Sequence, residues 1–175
     1  QESERYGHQV SKGPRMRILV FLHDTTIMHR SGLDVSRRER VAQGRQKDPS
    51  VRDYASYVPI GLAATKLHRW ERQGAKVIYL SSHTSWDDVQ KDFAVLRKHD
   101  FPLADIAYRC GNKQYGDVAD ELGPDLVVED DCESIGGEPQ MTYPQMGEAA
   151  KSTAKSILVK EFEGIDALPA DLGEL

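Results

Sequence analysis

Short apolar runs alternate with amphipathic stretches along most of the 175 residues. The run Arg17-Ile-Leu-Val-Phe-Leu-His-Asp24 is apolar on both faces and too short for a helix, so it predicts a buried parallel strand ending in a carboxylate. Ala75–Leu80, Asp105–Tyr108, Asp125–Val128 and Ser156–Val159 repeat that pattern and predict four more strands. Between them, Val58–Gly74 carries Ile60, Ala63, Ala64, Leu67 and Trp70 as a helical stripe closed by Gly74. Asp87–His99, with Val89, Phe93 and Leu96 on one side, reads as a second helix. Gln114–Leu122 and part of Gln145–Lys155 read as two more. Strand and helix alternate, which predicts an α/β fold: a doubly wound, mainly parallel sheet with helices on both faces.

The segment 31–53 is too polar for a core of its own. It predicts a small insert over the sheet edge, with one helix starting near Asp34 or Ser36. Residues 16–175 then form a single domain. Residues 1–15 read as a disordered extension or a remnant ahead of a natural start at Met16.

Composition narrows the function. A net charge of -5 argues against nucleic acid as the main partner, and the Arg37-Arg38-Glu39-Arg40 cluster reads as a solvated helix face. No apolar run reaches the ~18 residues of a membrane span, and the polar N-terminus lacks a signal-peptide core. Cys110 and Cys132 have no zinc spacing and read as reduced thiols, so a cytoplasmic location is expected.

In a parallel sheet, the residues following each strand share one edge, where α/β folds place ligands. That edge would collect Asp24-Thr25-Thr26, then Ser81-Ser82, then Arg109 and Lys113, then Glu129-Asp130-Asp131. A buried Asp24 is costly unless paired or metal-bound, and adjacent acids such as Asp130 and Asp131 repel unless a cation lies between them. Carboxylates from two strands could hold Mg²⁺, while hydroxyls and a cation take phosphoryl oxygens. His23, His29 and His83 flank the same edge. They lack the HxxxH spacing of a helical zinc pair, so they read as substrate contacts or acid/base groups.

The order acid, Ser/Thr, Lys, acid pair, each after an apolar strand, resembles the haloacid dehalogenase (HAD) superfamily. The resemblance spans roughly residues 17–159, with Val-Ile-Tyr-Leu-Ser81 and Leu-Val-Val-Glu-Asp130-Asp131 matching in type. It implies a small-capped, Mg²⁺-dependent phosphohydrolase acting on a small phosphorylated metabolite. Asp24, Thr26 and Lys113 would be catalytic; Thr25, Ser81, Ser82, His23, His83 and Arg109 would bind the phosphoryl group or substrate. Asp24, Asp130 and Asp131 would hold the metal, in a site open unless a second subunit covers it.

The first motif departs from the family's Asp-x-Asp pattern. Either Asp24 is the nucleophile with Thr26 in place of the second acid, or Asp24 is the second acid and Leu22 occupies the nucleophile position. On the second alignment, phosphoryl transfer is lost, leaving a ligand- or partner-binding protein or a non-hydrolytic acid/base enzyme.

Overall fold

The computed structural model describes residues 15–175; of the expected extension, residues 1–14 lie outside the described residues. Five parallel strands make the main sheet. In chain order the elements are β1 (Arg17–Phe21), β2 (Ile27–Met28), α1 (Arg37–Arg45), β3 (Val58–Pro59), α2 (Ala63–Arg72), β4 (Lys76–Leu80) and α3 (Trp86–Lys98). They continue as β5 (Ile106–Ala107), α4 (Tyr115–Leu122), β6 (Leu126–Asp130), α5 (Glu148–Thr153) and β7 (Lys155–Val159). The sheet order is β5-β4-β1-β6-β7, with β1 central and Val20 opposite both Tyr79 and Val128.

Because side chains alternate across a strand, β1 feeds two cores. Ile18, Val20 and Leu22 pack with Leu67 and Trp70 of α2 and Val89, Val95 and Leu96 of α3. Leu19 packs on the other face with Val118 and Ala119 of α4 and Met146. The α/β class, with helices on both faces of an all-parallel sheet, is as the apolar pattern predicts.

Two boundaries differ from the sequence reading. The stretch before α2 is not helical: Val58–Pro59 pairs antiparallel with Ile27–Met28, and Gly61 adopts φ +54°. Pro59 lacks a donor for an interior helical bond, and an Asp166 carboxylate oxygen lies 2.2 Å from where a Cβ at Gly61 would stand. The second difference is at β6, which runs on through Asp130, so Glu129 and Asp130 are strand residues pointing to opposite faces.

The insert is clamped from both ends. Ser36 and Glu39 form a capping box at the start of α1. Arg40 donates to the Gly32 and Phe162 carbonyls and Arg37 Nε to the Glu161 carbonyl, so these two arginines turn onto the chain after β7 rather than into solvent. Among the described residues, no helix is long and apolar enough to cross a membrane.

Candidate functional site

The carboxyl edge of the sheet opens into a cavity of about 320 Å³. Its wall includes His23 and Asp24 after β1, Ser82 after β4, Arg109 after β5, Asp130 of β6 and Glu161 after β7. Val51 comes from the insert, Tyr54 and Tyr57 from the segment between it and β3, and Phe21 and Tyr115 complete the aromatic lining.

The turn after β1 is organised by one carbonyl. Leu22 accepts from the N–H groups of Thr25, Thr26 and Ile27, which reverses the chain immediately and holds Asp24 at φ +69°. A left-handed backbone is uncommon for a non-glycine residue and is best tolerated by Asn and Asp. Leu22 is fully buried, and Thr26 turns its hydroxyl back to the Leu22 carbonyl at 3.1 Å, away from the cavity. Thr25 faces β6: its Oγ1 donates to Asp130 Oδ1 at 2.6 Å and accepts from the Asp130 N–H at 3.1 Å.

Asp24 itself is half-buried, with Oδ1 sealed from solvent and without a partner among the described residues. Burial first, then the neighbouring carboxyls of Asp130 and Glu161, pushes its own carboxyl well above the usual range. Asp130 is raised by burial, against the hydrogen bonds it accepts from Thr25 and the Cys132 N–H. Glu161 is pushed up to about 7 by burial and by Asp130 and Asp131, although Ser134 donates to both of its oxygens. This wall therefore favours protonated acids or a ligand that supplies donors.

The opposite wall is a hydrogen-bonded chain. Ser82 Oγ lies 2.7 Å from His23 Nδ1, and the Ser82 backbone N–H also donates to that nitrogen at 3.2 Å. An N–H directed at Nδ1 requires a lone pair there, so the proton of the neutral ring is on Nε2. Nε2 then donates to Asp92 Oδ1 at 3.0 Å, and Ser81 Oγ donates to Asp92 Oδ2 at 2.6 Å. Burial works to raise the Asp92 carboxyl, but His23, His83 and Ser81 together hold it below the usual carboxylate range. Asp92 is therefore a carboxylate, 1% exposed.

His83 stands beside this chain, with Nε2 3.5 Å from Asp92 Oδ1 and without a hydrogen-bond partner among the described residues. Among the described residues, His23, His83 and Asp92 are the one group of three whose ligand atoms all lie within 4.8 Å. The contacts present, with His23 Nε2 donating to Asp92, read as a hydrogen-bond cluster.

The other expected residues are dispersed. Asp24, Asp130 and Asp131 do not form a compact ligand group. Asp131 Oδ1 instead accepts from the Glu133 and Glu161 N–H groups. Lys113 is exposed, paired with Glu121 at 2.7 Å, and does not line the cavity. His29 lies under the insert, 2.7 Å from Gln43 Oε1. Arg109 reaches the cavity: Nη2 donates to the Ser82 carbonyl at 2.9 Å, and its guanidinium lies 4.2 Å from the Tyr115 ring centre.

Sequence reading missed Asp92, Tyr54, Tyr57, Tyr115 and Glu161. Asp92 had a signal, because it falls at helical spacing between Val89 and Leu96, on the face that must be buried. Glu161 had one too, two residues past the predicted strand Ser156–Val159, and Tyr115 follows the strand at Asp105–Tyr108; Tyr54 and Tyr57 had none, since only the path of the segment between β2 and β3 brings them to the edge.

Fold and cavity together define an α/β domain with a ligand-sized site at the carboxyl edge of its sheet. No protein-family model and no curated protein matches the chain. A solved structure described as a universal stress protein in complex with cAMP matches at 13% identity, covering 85% of this chain and 98% of that one, with a TM-score of 0.35.

The expectation of a magnesium-dependent phosphohydrolase, with its hydrolase, phosphatase and magnesium attributes, does not hold. The solved structure that matches is described as a universal stress protein, and a similarity of that size assigns this chain neither a family nor a ligand. The physical reasons lie in the site. Lys113 pairs with Glu121 outside the cavity, and the buried Leu22 side chain offers no nucleophile.

Proposed function

We infer that this protein binds a small molecule at the carboxyl edge of its sheet. The observation that carries this reading is the half-buried Asp24 carboxyl on the wall of the cavity, whose Oδ1 has no hydrogen-bond partner among the described residues. Buried polar atoms are nearly always satisfied, so a ligand donor is the natural complement. Tyr54, Tyr57 and Tyr115 supply apolar faces, and Arg109 supplies a cation on the far side. Such a mixture of aromatic surface and a few convergent polar groups suits a small polar metabolite. The resemblance to the HAD superfamily is retained as a proposal of kinship, resting on the acid, serine and acid residues that follow β1, β4 and β6.

The test is thermal-shift and calorimetric titration of the full chain with nucleotides including cAMP, sugar phosphates, amino acids and polyamines. A binder should raise the melting temperature of the wild type and lose at least tenfold in affinity with Arg109→Ala or Tyr54→Ala. Comparing phosphorylated ligands with their unphosphorylated parents shows whether phosphate contributes. Equal binding to the wild type and both variants would place the ligand elsewhere and remove this reading.

A further inference from the structure

The chain Ser82–His23–Asp92 has the parts of an activated nucleophile: a hydroxyl on a base, and the base held by a buried carboxylate. Three observations make it more than a local hydrogen-bond pattern. Ser82 is only partly buried and is one of the residues that line the cavity. The 2.7 Å contact puts Oγ within proton-transfer reach of Nδ1. The tautomer is set by the longer Ser82 backbone N–H contact at 3.2 Å, which leaves Ser82 Oγ the closer partner of the unprotonated Nδ1 and Nε2–H directed at Asp92. The ring nitrogens are used in the opposite sense to the serine-protease arrangement, where serine meets Nε2. Either nitrogen of a neutral imidazole can accept the proton, provided that the other is bonded to an acceptor.

We propose that Ser82 is a nucleophile for acyl transfer from a small carboxylic ester bound in the cavity, with His23 as its base and Asp92 as the positioning residue for His23. The proposal rests on ligand binding in the same cavity. Ser82 Oγ attacks the ester carbonyl carbon while its proton passes to His23 Nδ1. The Oγ–C bond forms, the C–O bond to the leaving alcohol breaks, and the alcohol departs with the proton from Nδ1. Water, deprotonated by the same nitrogen, then attacks the acyl-serine, releasing the carboxylic acid and restoring the Ser82 hydroxyl. Arg109 holds the Ser82 carbonyl through Nη2 and lines the cavity, so its remaining N–H groups are the nearby donors for the negative carbonyl oxygen.

The experiment is labelling of the full chain with a fluorophosphonate probe, read by mass spectrometry, beside hydrolysis of p-nitrophenyl acetate. The expected result is one label per chain on the peptide containing Ser82, absent in Ser82→Ala. Ester turnover should fall about 10²- to 10⁴-fold in His23→Ala and recover in part with added imidazole, which a merely structural histidine would not allow. Absence of label on folded wild-type protein, or label unchanged in Ser82→Ala, would overturn the proposal. Ligand binding with no labelling would remove the nucleophile alone, whereas labelling without any binder would remove the metabolite reading and leave the nucleophile standing.

Discussion

Thr25 and Asp130 are locked in a reciprocal pair: the hydroxyl of Thr25 donates to Asp130 Oδ1 at 2.6 Å and accepts from the Asp130 N–H at 3.1 Å. Both residues are essentially buried, so the pair staples the turn after β1 to the last residue of β6. It also fixes Asp24 relative to Asp130 on one wall of the cavity. Thr25→Val keeps the shape but leaves a buried N–H and a carboxyl oxygen unsatisfied. The expected cost is about 1–3 kcal/mol, measurable as a lower midpoint in urea. An unchanged midpoint would mean that water replaces the hydroxyl.

Asp92 governs the acid limb of stability. Its carboxyl is lower in the folded protein than in the unfolded chain, so the unfolded chain takes up the proton first as pH falls. The stabilisation is fully present above the ordinary carboxylate range and is lost as pH drops below about 4. Asp92→Asn should be less stable at neutral pH, with the difference from wild type shrinking toward pH 2. Denaturation midpoints between pH 2 and 7 measure this, and a constant difference would exclude Asp92 as the titrating group.

Glu161 acts in the opposite direction. Its folded carboxyl titrates at about 7, above its unfolded value, so the folded state holds the proton more tightly. The contribution is complete below about pH 4.3 and is lost as pH rises through about 7. Glu161→Gln should therefore flatten the stability profile between pH 5 and 8, while its amide oxygen still accepts from the Ser134 N–H. Chemical denaturation across that window would show parallel profiles if the carboxyl titrates normally.

Gly116 offers a test of packing against propensity. As a helix residue it should gain up to ~1 kcal/mol when changed to alanine. A Cβ there would lie 2.2 Å from the Gln145 carbonyl oxygen, where backbone rather than a flexible side chain must give way. Gly116→Ala is expected to destabilise by about 1–3 kcal/mol. A rise in melting temperature would show that the loop before α5 yields freely.

Removing the chain after β7 should destabilise the whole domain. Phe162 and Ile165 are buried, Trp70 Nε1 donates to the Pro169 carbonyl, and Lys66 donates to the Leu168 carbonyl. Truncation after Glu161 removes both apolar side chains and uncovers the residues they pack on, Met28, Val41 and Ile60 among them, with the outer face of α2. Losing two such buried groups is worth about 3–6 kcal/mol, to be read from denaturation of the purified fragment. Wild-type stability in that fragment would show that the tail is only draped on the surface.

By itself the sequence determined the layers of this protein. Runs such as Ile18–Leu22 and Leu126–Val128, apolar on both faces, can be satisfied only between two helical layers, and the stripe Leu67–Trp70 supplies one of them. It also placed Asp24, Ser82, Arg109 and Asp130 at a shared edge, because parallel strands end on the same side. Local pattern could not reveal which of these side chains meet. Whether Lys113 turns to the cavity or to Glu121, and whether Asp130 and Asp131 converge or diverge, depends on contacts across the sheet. The pairing of Ser82 with His23 and of His23 with Asp92 joins positions 59 and 69 residues apart. Hydrogen-bond geometry of that kind is set by the three-dimensional positions of β1, β4 and α3, and only the tertiary structure decided it.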